Sequence, residues 1–504
     1  MSASFYFYDL ETSGLNPRGD RVMQFAGQRT DPELNPLGDP DNFLISLADD
    51  TLPSPTAILV TGITPQATRA DGLSEPEFCR FVTEQLATPD TTILGFNSVR
   101  FDDEFMRATL WRNFYDPYEW QWQDGRSRWD LLDVVRLTRA LRPEGINWPV
   151  TPEGKPTNRL ELITKENHIS HAHAHDALAD VMALIEVAKL IRQHQPQLFD
   201  YLYQMRDKRR VQQLVNLDHP APFVYASGRY PSEFGHTTVA YPVAPARNGN
   251  VLVFDLRVSP RDFWAEIQQP DPERPLITRL RPTLKPLAYN RCPAVAPLGV
   301  LEKSDGWQKL QLTPELVKQH LAELQSVPEL IKLAAETFAA PPSRSSSANS
   351  ITTSAANPAT PSASGTAASS SAPADAQSRP AHPAPPTPDA DAALYDGFLN
   401  DHDRRLCQVV RNNGREELAD FHPDFNDERL PELLLHYKAR NFPDALSADE
   451  TARWEQYRTQ RLNAQAPQFL ADLQAAQQDL LAHPSDRNEY LLEELSLWFQ
   501  SLQP

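Results

Sequence analysis

Four carboxylates and one histidine stand in three separated stretches of this 504-residue chain: Asp9 and Glu11, then Asp102, then His175 and Asp180. Hydrolysis of a phosphodiester with two bound divalent cations needs hard oxygen ligands and one group that takes a proton from water. Carboxylates and imidazole are those groups. The question for the sequence is which elements could bring them together.

The first stretch, Ser4-Phe5-Tyr6-Phe7-Tyr8-Asp9-Leu10-Glu11, is an aromatic run that favours a strand, and Thr12-Ser13-Gly14 ends it with a turn signal. The side-chain period of a strand is two, so Asp9 and Glu11 project from the same face at its end. The pair reads either as a solvated strand end or as two charges bridged by a cation. The second stretch, Thr91 to Glu104, reads as a β-branched strand, a turn and a helix start. There Asp102 is a ligand candidate, and Asp103 is the better candidate for a helix cap. The third, from His173, has a helical apolar period through Ile191. His175 and Asp180 would point about 140° apart on one continuous helix. Both serve one site only if His175 lies before the helix or in its first turn. His168, His171, His173 and His175 form a histidine-rich run, but no cysteine is near and the spacing is not that of a zinc site. The extra histidines are expected to be exposed loop residues.

Taken together, Asp9-Leu10-Glu11, Asn97 through Phe101-Asp102, and His175 through Asp180 resemble the three motifs of DnaQ-like 3′ to 5′ exonucleases with a histidine in the third motif. Further stretches narrow the likeness. Ile63-Thr64-Pro65-Gln66, Asn97 to Glu104, Arg112 to Tyr118, Ser127 to Asp133, Leu141 to Pro149, Leu394 to Phe398 and Tyr437 to Pro443 resemble the bacterial exodeoxyribonuclease I family. The resemblance implies that Asp9, Glu11 and Asp180 hold two Mg²⁺ ions, with Mn²⁺ as the alternative, and that Asp102 completes the shell directly or through water. It implies that His175 is the general base, a role suited to imidazole near neutral pH. It also implies a processive attack on single-stranded DNA that releases 5′-mononucleotides, in DNA repair and recombination.

Between Arg100 and Arg142 the chain carries Arg100, Arg107, Arg112, Arg126, Arg128, Arg136, Arg139 and Arg142, interleaved with Trp111, Phe114, Tyr115, Tyr118, Trp120, Trp122 and Trp129. Cations for a phosphate backbone and flat faces for unstacked bases are what a single strand requires. Aromatic residues also dominate cores, so about half of these are expected to be buried, with Trp111 and Trp129 the first candidates. The resemblance implies that Arg107, Tyr118, Trp122 and Arg136 contact the strand and that Arg159, with Glu11, holds the 3′-terminal nucleotide. The family commonly places an aromatic before that arginine, and Asn158 stands there instead. The resemblance further implies that Arg142 and Tyr201 receive the acidic C-terminal tail of single-stranded DNA-binding protein. A DNA-backbone or structural ion-pair role for Arg142 remains the alternative.

The net charge of -19 opposes non-specific nucleic-acid binding, yet binding depends on where the basic groups lie. Cys79, Cys292 and Cys407 have no paired spacing, so neither a disulfide framework nor a metal knuckle is indicated. The N-terminal residues carry no basic leader, and no apolar run approaches the ~18 residues of a membrane span. A cytoplasmic monomer without membrane contact is the expectation.

The organisation expected is an α/β ribonuclease H-like exonuclease domain with a central mixed sheet over residues 1–195, an SH3-like β-rich domain over 196–340 and a helical domain over 391–504. The β-rich reading rests on runs such as Thr237 to Pro242 and Val251 to Leu256. The helical one rests on Leu430, Leu433, Leu434 and Tyr437, then Phe469, Leu473, Ala476 and Leu480. The tract at 341–390 is almost wholly Pro, Ala, Ser and Thr and is expected to be a disordered linker. Two rivals share these residues: an exoribonuclease of the same superfamily, and a binding scaffold without catalysis.

Overall fold

The computed structural model describes residues 3–171, 176–339 and 389–503. Among these residues ten strands form two sheets: β1 Ser4–Thr12, β2 Val22–Thr30, β3 Asp41–Leu44, β4 Thr91–Gly95 and β5 Ser127–Asp130, then β6 Phe223–Ala226, β7 Thr237–Ala246, β8 Asn250–Asp255, β9 Leu284–Leu287 and β10 Ala294–Pro297. The first sheet has the order β3-β2-β1-β4-β5. It is mixed, because β1 pairs antiparallel with β2 but parallel with β4, and β4 is parallel to β5. The second sheet, β10-β6-β7-β8-β9, is antiparallel throughout.

Strand β1 is covered on both faces, and its period of two separates the coverings. Phe5 and Phe7 enter one core cluster, together with Ala177, Val181 and Leu184 of helix Ala177–His194. Tyr6, Tyr8 and Leu10 enter another, with Phe25, Phe78 and Phe105. The face that carries Phe5 and Phe7 therefore continues into Asp9 and Glu11, and the helix packed against β1 and β2 carries Asp180 in its first turn. Parallel pairing of β1 with β4 ends at Phe7–Leu94, so the acidic pair projects beyond the shared ladder at the carboxyl ends of the parallel strands. That crevice is where open α/β sheets place their ligands.

The chain beyond β10 adds helices Pro314–Gln325 and Pro328–Ala339 to the second sheet. Of the tract expected to be a linker, only Asp389 and Ala390 lie among the described residues, and Ala390 is buried. The C-terminal helices pack back on the first domain. Leu462, Phe469, Leu473 and Trp498 share a core with Met23, Leu47, Leu52 and Ile58, while Leu430, Leu433 and Tyr437 share one with Trp111 and Phe114. No helix among the described residues is long and apolar enough to cross a membrane.

Candidate active site

Strand β1 and helix Ala177–His194 bring carboxylate oxygens of Asp9, Glu11 and Asp180 within 4.8 Å of one another. Asp102 opens the helix Asp102–Arg112, and its charge bears on both Asp9 and Glu11. Withdrawal from water and then the charges of Asp102, Glu11 and Asp180 raise Asp9 well above the ordinary carboxylate range. Burial, followed by Asp180, Asp102 and Asp176, pushes Glu11 up to about 8. Asp102 is pushed up to about 8 by burial and then by Asp103, against the opposing backbone amides of Asp102 and Leu10. Carboxylates held this close repel unless a cation lies among them, and a donor set of hard oxygens fits Mg²⁺ or Mn²⁺ better than a thiophilic metal.

The turn that delivers Asp102 is fixed from below. Asp130, buried at the end of β5, accepts the backbone N–H of Asn97 at 3.0 Å and of Val99 at 3.3 Å, and caps its own helix through Leu132 N–H at 2.9 Å. Asn97 is in the left-handed region, at φ 68°. A Cβ at Gly95 would lie 2.7 Å from Ser98 Cβ and 3.0 Å from the Tyr8 carbonyl oxygen, so only glycine permits this approach.

Two expectations are corrected here. Asp103 is not a helix cap: its carboxylate accepts the Tyr8 hydroxyl at 2.6 Å and pairs with Arg128, and the helix has no side-chain cap. Buried between a tyrosine and an arginine, the carboxylate is drawn away from the helix amides. Nor is His171 an exposed loop residue. Its side chain is 3% exposed and its Nε2 lies 2.5 Å from Asp180 Oδ1. His175, the expected base, and His173 lie outside the described residues.

The remaining candidates divide by exposure. Trp111, Phe114, Trp120 and Trp129 are buried, whereas Trp122 is 63% exposed and Tyr118 is partly so. The Arg107 guanidinium lies 5.4 Å from the centre of the Tyr118 ring and donates to Glu104 at 2.9 Å and Gln121 at 2.7 Å. Arg136 donates to Asp133 at 2.6 Å. Arg159 is exposed, precedes helix Leu160–Glu166 and pairs with Glu161. Asn158 accepts from Arg139 at 3.2 Å. Arg142 donates to the backbone oxygens of Val300 at 2.9 Å and Lys303 at 3.3 Å. Tyr201 is half-buried between the two domains' cores.

Sequence reasoning missed Phe398, which is 82% exposed with its ring 6.3 Å from that of Tyr118. It also missed Glu104, which bonds to Arg107, to Arg291 of the second domain at 3.1 Å and to Tyr395 of the C-terminal part. Proximity across hundreds of residues leaves no local pattern. Exposed aromatic rings set beside arginines suit a single strand.

Residues 6–188 match the family model described as Exonuclease, residues 206–340 that of the Exonuclease I SH3-like domain, and residues 388–502 that of the Exonuclease I C-terminal domain. Exodeoxyribonuclease I of Escherichia coli (strain K12) is 36% identical over 509 residues, covering 99% of this chain and 97% of the relative. The crystal structure of E. coli Exonuclease I in complex with a dA16 oligonucleotide superposes with a TM-score of 0.83 at 34% identity, covering 100% of both chains. A crystal structure of SSB/Exonuclease I in complex with the inhibitor CFAM superposes with a TM-score of 0.82 at 34% identity, again over 100% of both. The likeness thus runs through all three domains and includes the sheet end where the carboxylates gather: this chain is a nuclease of the exodeoxyribonuclease I family.

Proposed function

We propose that this protein is a processive, Mg²⁺-dependent 3′ to 5′ exonuclease that hydrolyses single-stranded DNA to 5′-mononucleotides in DNA repair and recombination. The observation that carries the proposal is the gathering of Asp9, Glu11 and Asp180 within 4.8 Å, with the charge of Asp102 bearing on Asp9 and Glu11. Two Mg²⁺ ions, or Mn²⁺ in their place, held by Asp9, Glu11 and Asp180 with Asp102 directly or through water, would supply an activated water and neutralise charge at the leaving 3′ oxygen. His175 takes the proton of the attacking water. Arg159, with Glu11, orients the terminal nucleotide.

The strand itself is held by Arg107, Arg136, Tyr118 and Trp122, and Phe398 extends that aromatic surface. Support comes from chemistry: the Nε atoms of Arg107 and Arg136 are buried and have no hydrogen-bond partner among the described residues, a cost that an anionic ligand would offset. The reading carries the domain limits 1–195, 196–340, 341–390 and 391–504, with the last domain closing over the strand to give processivity without sequence reading. It also carries a cytoplasmic monomer that binds the acidic C-terminal tail of single-stranded DNA-binding protein through Arg142 and Tyr201.

A time course on 5′-labelled single-stranded DNA, duplex DNA and RNA with Mg²⁺ tests the substrate class. Stepwise shortening of the single-stranded DNA alone is expected. Equal shortening of RNA would favour an exoribonuclease, and retention of DNA without shortening would favour a binding scaffold.

A further inference from the structure

His171 reaches Asp180 through a chain reversal built of fixed parts. Helix Leu160–Glu166 ends where Asn167 donates its side-chain amide to the backbone oxygens of Ile163 at 2.8 Å and Asn147 at 2.7 Å. His168 takes a positive φ of 57°, and the Ile169 N–H closes the turn on the Thr164 oxygen at 2.9 Å. The next residues carry the His171 ring between two partners: Nδ1 is 3.0 Å from the Thr164 hydroxyl oxygen, and Nε2 is 2.5 Å from Asp180 Oδ1. Thr164 is fully buried on its helix. A carboxylate only accepts, so Nε2 bears the proton and donates to Asp180; the Thr164 hydroxyl, which also donates to the Glu161 backbone oxygen at 3.0 Å, holds the ring from its Nδ1 side.

We propose that His171 is a positioning residue for the metal-dependent reaction: its Nε2–H fixes the Asp180 carboxylate in the orientation that brings it within 4.8 Å of Asp9 and Glu11, and the contact with Thr164 holds the imidazole ring in place. The inference rests on the reading of those carboxylates as cation ligands. A carboxylate on a first helical turn can rotate about χ1, and each rotamer places its oxygens differently. A hydrogen bond to one oxygen selects among them. Outer-shell donors of this kind orient ligating groups, and their loss typically lowers metal affinity or activity by about 10 to 100-fold. With Nε2 committed to Asp180 and the ring closed off from solvent, His171 is not placed to take the water proton.

Mn²⁺ binding to the full-length protein without DNA, measured by isothermal titration beside the unfolding temperature and the pH profile of turnover, tests this in His171→Leu, His171→Gln and His171→Asn. The Leu variant should bind Mn²⁺ about 10 to 100-fold more weakly. The Gln side chain keeps an N–H at similar reach and should restore affinity to within a few-fold, while the shorter Asn should not. The shape of the pH profile should be unchanged in the Gln variant. Equal Mn²⁺ affinity in wild type and Leu variant would overturn the proposal, as would loss of one limb of the pH profile in the Gln variant at full Mn²⁺ affinity, which would mark a base. If the Leu variant does not fold, equal affinity in Gln and Asn variants overturns it. A wild type that binds no Mn²⁺ would instead overturn the metal reading itself.

Discussion

Arg21, in the loop that leads into β2, donates to Asp391 Oδ2 at 2.9 Å across 370 residues of sequence. Both side chains are buried, and they join the exonuclease domain to the first turn of the C-terminal domain. Asp391 also meets Arg440 at 2.5 Å and His436 Nδ1 at 3.1 Å, and Arg440 reaches on to Asp50 at 2.7 Å. Asp389, Asp391 and His436 are close enough to resemble a second ligand set. The guanidinium groups of Arg21, Arg440 and Arg461 around Asp389 and Asp391 disfavour any cation there, and the cluster is an interdomain ion-pair network.

Removing its central cation should be costly. In Arg440→Met, Asp50 and Asp391 stay buried with less compensation, and unfolding in urea should show a loss of about 3 to 5 kcal/mol. Arg440→Lys should recover little, because one ammonium cannot bridge both carboxylates as the planar fork does. A loss below about 1 kcal/mol would mean the network is a surface-like pair in energetic terms.

The same network sets a pH dependence. Burial lowers the His436 pKa, but Asp391 and Glu432 outweigh it and hold the value above the ordinary histidine range. Its contribution to stability is therefore complete below the unfolded value of about 6.5 and is lost as pH rises through the raised folded value. Asp391 moves the other way: burial raises it, yet Arg440, His436 and Arg21 hold it well below the ordinary carboxylate range. Its contribution is present above about 4 and is lost as pH falls through the depressed folded value. Urea unfolding at pH 5.5 and pH 9 should show the stability gap between wild type and His436→Gln narrowing at the higher pH. A gap that widens would contradict the assignment.

Asp130 should act on catalysis at one remove. Its carboxylate holds the Asn97 and Val99 amides, and with them the turn that presents Asp102. Asp130→Ala should lower the single-turnover rate by about 10 to 100-fold with DNA affinity retained, and Asp130→Asn, which keeps one acceptor oxygen, should fall between. An unchanged rate in a folded Ala variant would detach the turn from the chemistry.

The tryptophans should separate cleanly by exposure. Trp122→Ala should weaken single-stranded DNA binding by about 1 to 3 kcal/mol with no change in unfolding temperature. Trp129→Ala, which removes a ring packed on Phe199 and Tyr203, should cost about 3 to 5 kcal/mol of stability. Fluorescence-anisotropy titration and thermal unfolding of the two variants check both statements.

The acidic set was legible because strand alternation and helix period are local. Asp9 and Glu11 share a face by the two-residue period, and the apolar pattern after Ala177 locates the helix of Asp180. Trp111 and Trp129 are buried as expected, but Trp120 and Trp122 were not separable by period, since they stand two residues apart in an irregular segment with none to assign faces. Asp103 misled for a related reason: its position fits a cap, but Arg128 and Tyr8 come from elsewhere in the sheet and claim its carboxylate. His171 was hidden among neighbouring histidines, and its one distinguishing feature, contact with Thr164 and Asp180, depends on a turn that composition does not specify.

The central claim is that the Asp9, Glu11 and Asp180 cluster removes nucleotides from a single-stranded 3′ end with a divalent cation. The direct measurement follows single-stranded DNA labelled in its 3′-terminal nucleotide, with cation-stripped enzyme, with added Mg²⁺, and with Asp180→Ala. The account predicts that label leaves first, as a 5′-mononucleotide, only when Mg²⁺ is present, and at a rate at least about 100-fold lower in the variant, the scale of a lost catalytic group. Label released last, or released by cation-stripped enzyme, or released equally by Asp180→Ala, would contradict it.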